Sequence, residues 1–316
     1  MSKKLRTAVI GVGYLGRFHA QKYKLLDNVE FLGVSDSRIE RGTEVAKELS
    51  VEYIGDYKKL KNQVDAVTVA ASTSSHYEIA KWCLENKISV FVEKPITVTS
   101  SEARELCDIA KKNNLTLQVG HVERFNPAMV SAKKVLRKPL FIEVHRLAPF
   151  TPRGADVDVV LDLMIHDLDV ICSLVDSPVS SISAVGVPVL TKLTDIANAR
   201  LEFESGTIVN ITASRVSQQT TRKFRVFERD KYLSLDFGKG SVDLLTKTGE
   251  WTEDSIPLNH ETWSLEKGDA LLAETKSFVE CVLEKKRPVV SGEDGLAALQ
   301  LAERITENIR ERAQRT

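Results

Sequence analysis

The chain has 316 residues, enough for two domains, and its 42% hydrophobic and 28% charged residues are ordinary for a soluble globular protein. Its 44 Lys and Arg balance its 44 Asp and Glu, which argues against a nucleic-acid-binding surface while leaving room for a local basic pocket. The four cysteines (Cys83, Cys107, Cys172, Cys281) form no CxxC pair, so no metal site or disulfide framework is expected and a reducing cytoplasm fits; no apolar run reaches signal-peptide or membrane-spanning length, so no membrane partner is expected.

Up to about residue 120, short apolar strands alternate with helical patterns. Strands are expected at Thr7–Ile10, Val29–Ser35, Ala66–Ala71, Ser89–Val92 and Thr116–Val119, with helices at Leu15–Leu26, Arg38–Leu49, Tyr77–Asn86 and Ser101–Asn113. Near-continuous apolar strands separated by helices imply a parallel sheet covered on both faces. The first strand runs into Gly11-Val-Gly13-Tyr14-Leu15-Gly16, which opens a helix, the context of a dinucleotide-binding loop. Gly11 permits the tight turn, Gly13 the approach of a pyrophosphate, and Gly16 close helix–strand packing. Asp36, at the end of the next strand, suits the adenosine ribose hydroxyls and disfavours a 2′-phosphate, so NAD is favoured over NADP; Arg38 tempers that preference, and Ser37 lies beside both. Ser72 and Thr73, beyond the third strand, are expected to line the cofactor. His76 either lines it too or begins the next helix as a cap. Glu93-Lys94-Pro95 follows the fourth strand, where proline stiffens the turn that presents Lys94. Its ammonium suits a substrate hydroxyl and the oxyanion that develops on it.

After Gly120 the texture changes. Strands are expected at Phe141–Leu147, Ser181–Val189, Ile196–Phe203, Thr207–Arg215, Lys223–Phe227, Tyr232–Phe237 and Ser241–Thr246, a meander-like run of antiparallel strands with one helix, Leu161–Leu174, inserted. Helices close the chain near Ala270–Lys285 and Gly292–Arg312. The reading is a Rossmann domain over residues 1–122 and an α+β domain over 123–316, whose last helix is able to pack back on the first domain. On the inserted helix, Asp162, His166 and Asp169 fall at i, i+4 and i+7 on one face of an otherwise apolar element. Buried carboxylates beside an imidazole are costly unless partnered, and chemistry is a common reason to retain them. Asp167 and Asp169 read as helix-surface or supporting carboxylates, and His121 as structural or site-lining.

These segments resemble the glucose–fructose oxidoreductase / inositol dehydrogenase / MocA family: GVGYLG, Glu93-Lys94-Pro95, Gly120-His-Val-Glu-Arg124-Phe-Asn126-Pro127, and Asp162-x3-His166-x2-Asp169. The resemblance spans most of the chain. It implies a Rossmann domain plus a large, mainly antiparallel open sheet, and a catalytic group carried over to Lys94, Asp162 and His166. It also implies sugar or polyol substrates. Asp156-Val-Asp158 stands where the family usually has a glycine-rich run, and Met164 where it usually has glycine. The stretches 120–127 and 145–154 are similar to bacterial members that oxidise the 3-hydroxyl of UDP-N-acetylglucosamine for a diamino-sugar lipid A.

The expectation is therefore an oxidoreductase in which His166 or Lys94 accepts the hydroxyl proton, with Asp162 orienting the substrate or the imidazole. Arg124 and Asn126 are expected to line the substrate site. Arg146 and Arg153 either bind a diphosphate or are solvated loop residues. Alternatives are a free-polyol dehydrogenase and a non-catalytic NAD-binding regulator. An open sheet with one face to cover suggests a homodimer or homotetramer.

Overall fold

The computed structural model describes residues 4–152, 157–253, 255–265 and 268–315. In chain order the elements are β1 Leu5–Ile10, α1 Tyr14–Tyr23, β2 Val29–Ser35, α2 Ile39–Leu49, β3 Glu52–Tyr53, β4 Ala66–Val69, α3 Thr73–Glu85, β5 Ser89–Glu93, α4 Ser100–Asn113 and β6 Leu117–Gly120. Then follow α5 Pro127–Val135, β7 Phe141–Leu147, a π turn at Val160–Met164 running into α6 Ile165–Leu174, and seven strands. These are β8 Val179–Val187, β9 Ile196–Phe203, β10 Ile208–Ser214, β11 Thr221–Phe227, β12 Lys231–Asp236, β13 Ser241–Lys247 and β14 Leu258–Ser264. Helices α7 Ala270–Glu284 and α8 Gly292–Ala313 close the chain.

Two compact units result. The first comprises residues 1–122 and 269–299, the second residues 123–268 and 300–316. The second domain is thus not the unbroken 123–316 read from the sequence. The reason is burial: α7 sinks Phe278 and Val279 into the core that holds Val9, Val34 and Phe91, with the Phe91 and Phe278 rings 5.5 Å apart. The Gln118 side-chain amide also donates to the Glu274 carbonyl at 3.2 Å.

The first unit is a six-stranded parallel sheet in the order β3-β2-β1-β4-β5-β6, the doubly wound arrangement. All residues of β4 and β5 are buried, as expected of strands with helices on both faces. α4 starts at a reciprocal cap in which Thr99 and Glu102 each accept the other's backbone N–H.

The second unit carries an eight-stranded sheet, β14-β13-β12-β11-β7-β10-β9-β8. It is not a simple meander. β7 sits between β10 and β11, parallel to the former and antiparallel to the latter. A parallel pair needs a long crossover, and the segment containing α6 belongs to it. One sheet face packs its Val144, Ile211 and Phe224 with Val160, Met164 and Leu168 of the π turn and α6, and with Leu301 and Ile305 of α8. The other face is mixed: Glu143 pairs with Arg225, Asn198 with Thr212, and Phe141 and Tyr232 flank Phe227, while Val185 and Val187 are exposed at the β8 edge. Much of that face is therefore content in water and does not itself demand a cover. Sequence reading missed β3, α5 and β14; β14 is exposed at all but one position and so lacks an alternating pattern. Among the described residues no helix is long and apolar enough to cross a membrane.

Candidate active site

In the first unit the glycine loop is fixed by contact. Gly11 has φ +83°, and a Cβ there would lie 2.5 Å from the Ala71 amide nitrogen; a Cβ on Gly16 would lie 1.8 Å from the Gly11 carbonyl oxygen. Gly13 differs, because the nearest atom to its Cβ position is Arg38 Nη2 at 3.9 Å, which leaves its backbone facing open space. That space is a cavity of about 640 Å³ lined by Gly11, Gly13, Asp36, Ser37, Arg38 and Ser72, among others. Asp36 accepts the Val12 N–H at 2.8 Å and the Arg38 N–H at 2.9 Å, one on each oxygen. Arg38 Nε also lies 3.5 Å from Oδ1, so Oδ2 is the oxygen that retains a lone pair for a ribose hydroxyl. Two features escaped the sequence reading. Arg41 braces the loop by donating to the Val12 carbonyl at 2.9 Å, and Gly55, Tyr57 and Glu78 also line the cavity. The open backbone at Gly13 and the Asp36 carboxylate fit a dinucleotide. Of the other cofactor residues read from sequence, Tyr14 is exposed, and Leu15 and Thr73 are half-buried.

His76 does not cap a helix, since α3 already begins at Thr73. Its ring is buried, with Nδ1 2.9 Å from the Pro95 carbonyl oxygen and Nε2 3.1 Å from that of Ala71. It ties the end of β4 to the Lys94-Pro95 turn and is absent from the cavity wall, and burial pushes its pKa down. Glu93 is likewise buried rather than aimed at the cofactor cavity. One oxygen lies 2.7 Å from His19 Nε2 and the other accepts the Lys94 N–H at 3.1 Å. Burial pushes the Glu93 carboxyl up, but His19 and the Lys94 amide more than offset this, leaving it below its ordinary value. A Cβ on Gly120 would meet the Glu93 carboxyl carbon at 2.9 Å, so only glycine fits there. The backbone of Lys94 is thus held by a buried Glu93–His19 pair, while its side chain is half-buried. The Lys94–Pro95 peptide is cis.

In the second unit Asp162 and His166 are both half-buried, whereas Asp167 and Asp169 are fully buried. The widened turn at Val160–Met164 means that Asp162 and His166 are not related by plain α-helical stacking. Asp167 is not a surface carboxylate. Arg146 grips it with two hydrogen bonds, Nε at 2.6 Å and Nη2 at 2.8 Å, and Nη2 also reaches Glu123 at 3.1 Å. Burial drives the Asp167 carboxyl up, with Arg146 opposing. Arg146, 5% exposed, is consumed by this network and is neither a solvated loop residue nor available to a phosphate. Arg124 is spent in the same way, donating to the Asp169 carbonyl at 3.3 Å and its carboxylate at 3.4 Å. Asn126 caps α5 by accepting the Ala128 N–H at 3.0 Å and donates to Glu123. Asp158 has a role that the sequence reading missed: it caps the π turn, accepting the Val160 and Leu161 N–H groups at 3.0 Å. Met164 fills the core. Arg153 and Asp156 lie outside the described residues. Among the described residues no cluster of three or more His, Cys, Asp or Glu is placed to hold a metal.

Two family models match the chain: the oxidoreductase-family NAD-binding Rossmann fold over residues 5–121 and the GFO/IDH/MocA C-terminal domain over residues 143–233. UDP-N-acetylglucosamine 3-dehydrogenase of Acidithiobacillus ferrooxidans is 38% identical over 93% of this chain and 92% of its own length. A crystal form of that protein superposes with a TM-score of 0.91, covering 97% of this chain and 98% of its own. The scyllo-inositol 2-dehydrogenase (NAD(+)) of Bacillus subtilis is 27% identical over 98% of this chain and 95% of its own. Levoglucosan dehydrogenase in complex with NADH and levoglucosan shares the fold, with a TM-score of 0.88 over 98% of each chain at 17% identity. With both halves matched and the dinucleotide loop intact, the chain belongs to the GFO/IDH/MocA family and is an NAD-dependent oxidoreductase acting on CH–OH groups.

Proposed function

We propose that this enzyme oxidises the 3-hydroxyl of UDP-N-acetylglucosamine. The observation that carries the reading is the 38% identity to a UDP-N-acetylglucosamine 3-dehydrogenase, which runs through both units. Bound NAD supplies the hydride acceptor. His166 takes the hydroxyl proton, since an imidazole titrates near neutral pH. Asp162 orients the imidazole or the substrate and offsets the charge that His166 acquires. Lys94 donates a hydrogen bond to the reacting oxygen and stabilises the charge developing there. The stiff Glu93-Lys94-Pro95 turn, tied down by His19 and His76, limits the freedom of the Lys94 stem. A homodimer or homotetramer completes the proposal, and sedimentation velocity tests it.

The 26–27% identity to inositol dehydrogenases favours a second reading, oxidation of a free polyol. Parallel assays with NAD separate the two. NADH formed from UDP-N-acetylglucosamine and not from inositols supports the proposal. The reverse pattern replaces it with the polyol reading. NAD binding without turnover of either points to the non-catalytic regulator.

A further inference from the structure

A diphosphate is well matched by a guanidinium that is not already neutralised. Arg146 and Arg124 are both spent on buried carboxylates. The pairing of β7 with β11 offers another. In that antiparallel register Arg222 lies directly opposite Arg146. Directly opposed residues project from the same sheet face, with Cβ atoms roughly 4.5–5.5 Å apart. The face is the one on which α6 packs: Phe224 and Val226 follow Arg222 at the same parity, and both are fully buried. Arg222 stands just past the edge of that cover and is exposed.

It is also unspent. Among the described residues its guanidinium makes no hydrogen bond and no ion pair. Its neighbours on the strand differ: Lys223 pairs with Asp236 at 3.6 Å and Arg225 with Glu143 at 2.5 Å. Its charge does reach Asp167, whose carboxyl it pulls down against burial, and Asp167 directly follows His166 in the chain. The guanidinium therefore lies within electrostatic reach of the Arg146–Asp167 pair, with five N–H donors that make no hydrogen bond among the described residues. The strand is preceded by exposed Gln218, Gln219 and Thr220, further polar side chains next to Arg222 in the chain.

A purely structural role is the alternative. Asp167 and Glu123 are two carboxyl groups facing the single guanidinium of Arg146, and Arg222 would add a second cation to that cluster. Charge balance does not account for an exposed guanidinium with no hydrogen bond, and it predicts a different phenotype.

Resting on the nucleotide-sugar reading above, we infer that Arg222 binds the diphosphate of the substrate and so selects nucleotide-linked over free sugars. The test compares wild type, Arg222→Ala and Arg222→Lys. UDP affinity is measured by calorimetry, NAD affinity separately, and kcat and KM with UDP-N-acetylglucosamine. Loss of a charge-assisted phosphate contact should weaken UDP binding and raise KM by about 10–100-fold in Arg222→Ala. NAD affinity should be unchanged and kcat should stay within about twofold, since the contact is uniform between ground and transition states. Arg222→Lys should recover part of the loss, because a point charge replaces a planar fork. Wild-type UDP binding that is unaltered in Arg222→Ala overturns the inference and leaves the function standing. A fall in kcat at constant KM overturns it in favour of action through Asp167. Wild type that neither binds UDP nor oxidises UDP-N-acetylglucosamine sinks the nucleotide-sugar reading, and the inference goes with it.

Discussion

At the scale of single residues, function and structure trade places around the helix that carries His166. Arg146 looks, in one dimension, like a phosphate ligand in a loop before a catalytic helix. In three dimensions it is a buried partner of Asp167 and Glu123. Removing one member of a buried ion pair strands the others, so Arg146→Ala should cost about 3–5 kcal/mol in urea unfolding. A phosphate ligand would instead leave the unfolding midpoint in place and raise KM. The signal for this was present in the sequence: Ile142, Val144 and Arg146 share one parity on β7, and the first two are core residues. What the sequence lacked was a carboxylate to pair with, because Asp167 reaches Arg146 only once α6 packs on the sheet. Asp36 mixes roles differently, holding two backbone N–H groups while facing the cofactor cavity. Asp36→Ser should raise NADP use relative to NAD by at least about tenfold in steady-state assays, through loss of repulsion toward a 2′-phosphate. An unchanged cofactor ratio would show that this carboxylate does not face the ribose.

At the scale of elements, the helix bearing His166 is positioned by devices on three sides. Asp158 caps its first turn, Arg146 holds Asp167 from β7, and Arg124 holds Asp169. Asp158→Ala should therefore cost about 1 kcal/mol of stability by thermal melting. It should also lower kcat more than it alters NAD affinity, because the turn it caps contains Asp162. The sequence showed an apolar helix with a polar stripe; the helix is there, but the π turn takes Asp162 out of simple i, i+4 stacking with His166. The π turn was not legible, since the apolar spacing of Leu161, Met164, Ile165 and Leu168 suits ordinary α-helix. Nor is the cap legible, because Asp158 stands where the resemblance leads one to expect glycine, and its bonds to the Val160 and Leu161 N–H groups exist only in the folded turn. On the first unit the strand–turn–helix context made the glycine loop readable, for steric reasons that the contacts at Gly11 and Gly16 now display. The depth of Glu93 and His76 was not readable, because polar residues at strand ends are exposed as often as they are tied to neighbouring turns.

At the scale of the whole molecule, two units with separate cores share one chain that crosses between them more than once. Hydrophobic pattern located nearly all the strands, but it could not show that β7 inserts between β10 and β11, nor that α7 returns to the first core. Both are outcomes of which apolar faces meet, and many faces look alike in sequence. Global stability should carry an acid limb from the second unit. Asp195 is buried, accepts the Val189, Leu190 and Thr191 N–H groups, and pairs with Arg215, which also holds the Val157 carbonyl. Burial opposes ionisation, but the amide and Arg215 bonds win, so the carboxyl is held well below its ordinary value. A depressed carboxyl stabilises the fold above its unfolded pKa of about 4 and loses that contribution as pH falls toward the folded value. Asp195→Asn should thus destabilise the protein at pH 7 by about 2–4 kcal/mol and by progressively less below pH 4, as read from unfolding at stepped pH.

The most direct test of His166 as the base and of this substrate is NADH formation at 340 nm with NAD and UDP-N-acetylglucosamine, with an aminotransferase couple to remove the ketone, in wild type and His166→Ala. Wild type should give a signal that falls by at least about 100-fold in kcat in the variant, with NAD affinity retained. Undiminished turnover in His166→Ala would remove His166 from the chemistry. Absence of turnover in wild type, with NAD bound, would contradict the assignment of this substrate.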